Sequence, residues 1–167
     1  MSRTTALCSC VAATGLMALG CAPYSFTGGR TALVNSVHVS VFENETPEFG
    51  IEEALTKGII EGFLDDNQIR VVEPTAAEAI LSGRVVQYER RAYTFDETDR
   101  VTEYIVEIWV TANLAKQGSG GPESIWSIER QRGFGIYNAD NEDEQAGQQR
   151  AIDKIGEDLL NRTIKSW

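Results

Sequence analysis

Apolar and polar positions follow two periods along the chain. Val37, Val39 and Val41 alternate with His38, Ser40 and Phe42, which predicts a short strand. Thr46-Pro47-Glu48 follows: a hydroxyl suited to an N-cap, a proline suited to the first helical position, and an acid near the positive end of the dipole. Ile51, Leu55, Ile59 and Phe63 then recur every fourth residue as one helical stripe. Gly58 and Gly62 beside that stripe predict close packing of the helix on a sheet, and Asp65-Asp66-Asn67 ends it. Ile69 to Val72 is a brief extended piece, interrupted by Pro74.

A longer strand runs from Ala79 to Ala92, with Gly83 as the expected bulge. Asp96 to Asp99 makes a polar hairpin loop. In the next strand Tyr104, Val106, Ile108, Val110, Ala112 and Leu114 share one face. Glu103, Glu107, Thr111 and Asn113 lie on the other, with Ile105 and Trp109 among them. After the turn at 118–122, a fourth strand from Glu123 to Tyr137 places Trp126, Ile128, Phe134 and Ile136 on one side. A last helix starts at Asp140 or Asn141 and carries the stripe Ile152, Ile155, Leu159. The predicted fold is α+β, a two-layer sandwich in the order β-α-β-β-β-α. Its two helices pack on one face of a four-stranded, mainly antiparallel sheet.

The first twenty residues have a different character. Arg3 is followed by an uncharged stretch from Thr4 to Gly20 whose most apolar part, Val11 to Leu19, has the length of a secretory h-region. Thr4, Thr5, Ser9, Cys10 and Thr14 dilute it too far for a spanning helix, which needs about 20 mostly apolar residues. Ala18-Leu19-Gly20-Cys21 resembles the bacterial lipobox, with Ala18 where Leu is commoner. That resemblance implies cleavage before Cys21, lipid on its thiol and acylation of the new amino terminus. The alternative is an ordinary signal peptide cleaved near Ala22. The expected organisation is a signal peptide over 1–20, a lipidated tether over 21–32 with Pro23, Gly28 and Gly29, and a single domain over 33–167.

Composition narrows the function. With 42% hydrophobic residues in 167, the chain can bury one real core. From Cys21 onward 14 basic residues stand against 25 acidic ones, a net of −11 that repels phosphate backbones and argues against nucleic-acid binding. Cys8, Cys10 and Cys21 all lie near the start, and the only histidine is His38. Neither a zinc site nor a Ser-His-Asp or Cys-His centre assembles readily from that set. His38 reads as an ordinary half-exposed strand residue. Neighbouring carboxylates such as Glu52 and Glu53 diverge on a helix and do not converge on a substrate. No catalytic residue, no metal site and no cofactor is expected beyond the covalent lipid on Cys21.

Several segments then combine. Cys21-Ala-Pro-Tyr-Ser-Phe opens the mature chain, and Val41-Phe-Glu-Asn-Glu-Thr-Pro-Glu-Phe-Gly-Ile-Glu-Glu-Ala-Leu-Thr leads into the first helix. Asp66-Asn-Gln-Ile-Arg-Val-Val, Ala79-Ile-Leu-Ser-Gly-Arg-Val, Tyr88-Glu-Arg-Arg and Arg100-Val-Thr-Glu-Tyr follow in order. Together they resemble the LptE family of lipopolysaccharide-assembly lipoproteins over essentially the whole mature chain. The family's usual opening is Cys-Gly-Tyr; here Ala22 and Pro23 intervene. The resemblance implies a noncatalytic lipoprotein anchored to the outer membrane and facing the periplasm. It also implies a seat inside the β-barrel LptD, in the translocon that inserts lipopolysaccharide into the outer leaflet.

That role asks for two surfaces. A plug in a polar barrel lumen needs hydrogen bonds and charge pairs; Asn44, Glu45 and Thr46 at the strand-to-helix corner, with Asp96, Asp99 and Arg100 at the hairpin, are the candidate contacts, or else solvated turns. Lipid A phosphates need cationic donors. Arg84, Tyr88 and Arg90 share parity on one strand, with Arg91 beside them, so one face is expected to present two guanidiniums around a ring. The competing reading of these arginines is cross-strand pairing with Glu103 and Glu107, and Arg130 and Arg132 share the ambiguity. The Phe-Glu-Asn-Glu-Thr strand also resembles other outer-membrane lipoprotein adaptors, of peptidoglycan synthases or of curli secretion.

Overall fold

The computed structural model describes residues 32–118 and 120–164; the expected signal peptide, Cys21 and the expected tether through residue 31 lie outside them. The chain begins with strand β1 (Ser36–Val39), a two-residue strand β2 (Glu43–Asn44) and helix α1 (Ile51–Asp66). A second two-residue strand β3 (Arg70–Val71) and a 3-10 turn at Pro74–Ala76 come next. Three long strands β4 (Ala79–Phe95), β5 (Val101–Lys116) and β6 (Glu123–Asn138) follow, then helix α2 (Glu144–Ile164).

The α+β sandwich is as expected, but the sheet has six strands rather than four, in the order β3-β1-β4-β5-β6 with β2 also on the edge of β4. It is mixed. β1 runs parallel to β3 and β4, and β2 parallel to β4, while β4, β5 and β6 form an antiparallel meander. The parallel half follows from α1, which carries the chain back over the sheet so that the strands on either side point the same way. β3 falls within the extended piece expected at Ile69 to Val72, whereas β2, with two residues, carries no alternation by which the sequence pattern could reveal it.

Both helices close one face. Val106, Ile108, Val110, Ala112 and Leu114 of β5 are buried there against Ile51, Leu55, Ile59 and Phe63 of α1 and Ala151, Ile152, Ile155 and Leu159 of α2. The β1 alternation stops at Val39: Phe42 turns inward and Val41 is exposed. Phe42 packs on Gly83, where any side chain would strike that ring and the Thr111 carbonyl. Gly83 is therefore a seat for a ring in an unbroken register with Ala112, not a bulge. Gly58 also differs from expectation, since it faces Ile152 and serves a helix–helix approach.

Helix starts are displaced toward the C-terminus. Thr46 does not cap α1, because Asn44 Oδ1 captures both its N–H (2.9 Å) and its hydroxyl (2.8 Å). The helix begins instead at Ile51, after Gly50 in the left-handed region at φ 77°. Likewise α2 starts at Glu144 rather than at Asp140 or Asn141; Asp143 Oδ1 accepts the Ala146 N–H at 3.0 Å and so acts as its cap.

Candidate functional site

The long meander β4–β5–β6 has two faces, and two bulges decide which side chains share them. In β4 the register with β5 slips between Val85 and Gln87. Val85 (opposite Val110), Tyr88 (opposite Ile108) and Arg90 (opposite Val106) therefore face the helices, while Arg84 (opposite Thr111) and Arg91 (opposite Ile105) face away. The expected grouping of Arg84 with Tyr88 and Arg90 is thus corrected: one extra residue, Val86, separates them to opposite faces. In β6 a slip between Ile128 and Gln131 has the same effect. Trp126 and Ile128 stay on the helix face, whereas Phe134 and Ile136 turn to the outer one.

On the helix face, Tyr88 and Arg90 belong to a polar cluster beneath the start of α2. Tyr88 donates to Glu144 Oε1 at 2.7 Å, and Arg90 Nε donates to the Tyr137 hydroxyl with Glu144 Oε2 at 3.3 Å. The Arg90 guanidinium lies 4.1 Å over the Tyr104 ring, itself stacked on Tyr137 at 5.5 Å. Burial, and after it the hydrogen bond to Glu144, push the Tyr88 phenol well above its ordinary value. Tyr137 and Glu144 are partners that the sequence does not signal, lying about 50 residues further on in another strand and a helix start.

The outer face, on which no helix lies among the described residues, carries the remaining arginines of the meander. Arg84 pairs with Glu45 of the β2 corner at 2.8 Å, both half exposed. Arg91 and Arg132 both reach Glu107, each with Nε at 3.0 Å from one carboxylate oxygen. Arg130 lies 5.4 Å over the Trp109 ring and donates to Gln87, and Arg132 lies 5.1 Å over Phe134. The cross-strand pairing foreseen with Glu107 thus holds for Arg91, while Arg84 and Arg90 have other partners. Beside this row is an open polar hollow of about 330 Å³, lined among others by Glu43, Ser82, Arg84 and Asn113.

The candidate partner contacts fall into two separate corners. Asn44 knots the first: beyond Thr46, its amide donates to the Glu48 carbonyl (2.7 Å) and to Glu52 Oε2 (3.0 Å). At the hairpin, Asp96 Oδ1 accepts the Thr98 hydroxyl and N–H and the Arg100 N–H, Asp99 sits at φ 60°, and Arg100 reaches across to Asp140 at 2.7 Å. These bonds hold the Asp96 carboxyl below its usual value, the Thr98 hydroxyl foremost. Ten residues of β4 lie between Val85, beside Asn44, and Asp96, about 35 Å of strand. The two corners cannot meet one small partner surface.

What emerges is a class of protein: a small two-layer α+β domain whose sheet is shut by helices on one side and arginine-studded on the other. A family model described as LptE, lipopolysaccharide-assembly, matches residues 34–163, and the chain belongs to that family. Among curated proteins no sequence relative is found. Among solved structures, a protein from Xanthomonas campestris is similar at 13% identity and TM-score 0.56, over 80% of this chain and 86% of that one. A protein from Caulobacter crescentus matches at 14% identity and TM-score 0.51, over 74% and 88%. One from Chlamydia trachomatis matches at 9% and 0.51, over 78% and 93%. At these identities the likeness is one of fold.

Proposed function

We propose that this protein is a lipid-anchored outer-membrane component of the lipopolysaccharide translocon, seated in the β-barrel LptD and assisting insertion of lipopolysaccharide into the outer leaflet without catalysis. The observation that carries this is the family match across almost the entire folded domain. Cys21 after Ala18-Leu19-Gly20 supports the anchor: one acyl chain holds only marginally, at about 0.8 kcal/mol per buried methylene, whereas three hold permanently. The acidic surface suits a lumen with basic lining, and Asn44, Glu45 and Thr46 with Asp96, Asp99 and Arg100 offer two charged corners to its wall. The arginine-bearing sheet offers the donors that lipid A phosphates require.

Co-purification from membranes tests the partner. A large barrel protein retrieved with the chain is the expected result; a periplasmic synthase in its place makes it an adaptor of another envelope machine. Cys21→Ala is expected to leave the domain folded and to release it from the outer-membrane fraction. Unchanged fractionation would remove the anchor from the proposal.

A further inference from the structure

Helices α1 and α2 run side by side in the same direction, crossing where Gly58 faces Ile152 and Gly156 approaches the Gly58 carbonyl. Ile59 and Phe63 of α1 and Ile155 and Leu159 of α2 face the sheet. On the opposite, solvent side the two helices leave a groove of about 570 Å³, floored by Gly58, Gly62, Gly156 and Leu160. Its rim carries Glu61, Asp65, Asp66, Asp153 and Glu157 and no basic residue. Lys57 reaches Glu61 at 3.7 Å and Lys154 reaches Glu157 at 3.4 Å. Asp65, Asp66 and Asp153 have no ion-pair partner among the described residues.

Two details set this rim apart from an ordinary solvated surface. Asp65 and Asp66 close α1 at the negative end of its dipole, where carboxylates are disfavoured, and the last turn holds no basic residue. Asp66 Oδ1 accepts a hydrogen bond from Gln68 Nε2 at 3.1 Å, but Oδ2 is buried and meets no donor among the described residues. A buried carboxylate oxygen without a donor costs free energy, so the mouth of the groove is short of one cationic donor.

The chain itself passes this mouth. The Leu33 N–H donates to the Thr163 carbonyl at 3.0 Å, less than one helical turn beyond Leu160. Immediately upstream, residues 21–32 contain one charged residue, Arg30, together with Tyr24, Phe26 and the pair Gly28-Gly29. Arg30 stands three residues before Leu33, about 10 Å of extended chain. The groove from Gly58 to Asp66 is about 12 Å of helix, well within the span of the residues that precede Arg30.

We infer that the segment from Tyr24 to Arg30 docks in the α1–α2 groove as a strap, with the Arg30 guanidinium supplying the donor that Asp66 lacks and the aromatic side chains covering Leu160. A planar guanidinium suits adjacent carboxylates better than an ammonium does. The strap brings the amino-terminal end of the mature chain to the helix layer. An anchor at Cys21 then holds that layer toward the bilayer and leaves the open face of the sheet turned away from it. The inference rests on the expected tether and not on the identity of the barrel partner.

Amide hydrogen exchange, read by mass spectrometry on the detergent-solubilised full mature chain, tests it. Amides of residues 24–31 are expected to exchange about tenfold more slowly in the parent than in Arg30→Gln or Asp66→Asn, the worth of one charge-assisted contact. Glu53→Gln, which removes an exposed acid of α1 outside the groove, should leave that protection unchanged. Equal exchange in the parent and Arg30→Gln overturns the strap. An equal loss in Glu53→Gln and Asp66→Asn overturns the groove in favour of diffuse attraction to an acidic surface.

The other occupant within reach is the carboxyl-terminal segment Lys165-Ser166-Trp167, which follows α2 at the same mouth. Protection of those residues, lost in Asp66→Asn while residues 24–31 exchange freely, would assign the groove to that end and overturn the proposal. If Asp66→Asn does not fold, Arg30→Gln decides, since it changes no residue of the folded domain. The amino-terminal mass of the same sample reports lipidation of Cys21, and co-purification reports the barrel, so failure of the strap and failure of the translocon reading show in different measurements.

Discussion

Gly135 of β6 and Gly147 of α2 meet backbone to backbone. A Cβ on Gly135 would overlap the Gly147 carbonyl, and one on Gly147 would fall 2.7 Å from the Tyr137 ring. Gly133 repeats the arrangement one step along, against the Ala151 carbonyl and Ile155. The sheet's last strand thus offers a bare path on which α2 lies close. Gly135→Ala should force the helix away and cost about 1–3 kcal/mol or more, as overpacking does. A urea midpoint equal to the parent's would show that α2 shifts freely.

Gly62 predicts the opposite sign. It sits inside α1, and a Cβ there meets nothing within 4 Å. Gly62→Ala is expected to stabilise by about 0.5–1 kcal/mol through helix propensity and a less flexible unfolded chain. Thermal unfolding of the two alanine variants side by side reads both signs in one experiment.

Thr56 ties the β1–β2 connection to α1. Its buried hydroxyl donates to the Glu52 carbonyl at 2.6 Å and accepts the Phe42 N–H at 3.0 Å. Thr56→Val keeps the shape and strands that N–H, which costs about 1–3 kcal/mol. Thr56→Ser keeps the oxygen and should lose much less. Equal losses in the two variants would place the effect in packing of the methyl.

These positions show what could be read ahead of the structure. The β5 alternation and the α1 and α2 stripes were legible because burial of one face enforces a period, and they fix the helix-covered face correctly. The arginines were not, because a single extra residue at Val86 or between Ile128 and Gln131 reverses every side chain beyond it without disturbing local composition. Gly133 and Gly135 carried the α2 contact in plain sight, yet an absent side chain has no period to detect. Glu107 looked like one more solvent-facing acid; its burial depends on Arg91 and Arg132 arriving from two neighbouring strands. The candidate site was thus foreseen as a strand and a residue type, while its membership was set by register.

Tyr88 gives the alkaline prediction. Half-buried beneath α2 and bonded to Glu144, its phenol is held above the ordinary value of about 10, by burial first and by the carboxylate second. The native state therefore keeps a proton that the unfolded chain releases. The contribution to stability is whole below the unfolded value of about 10 and is lost as pH rises through the higher folded value. The difference in phenolate absorbance between the parent protein and Tyr88→Phe should stay flat through about pH 10–11, where a free tyrosine would already have ionised. Glu144→Gln should bring the Tyr88 step down but not back to the ordinary value, because burial is the larger cause. A full one-phenolate step near pH 10 in that difference would mean that α2 does not cover this ring in solution.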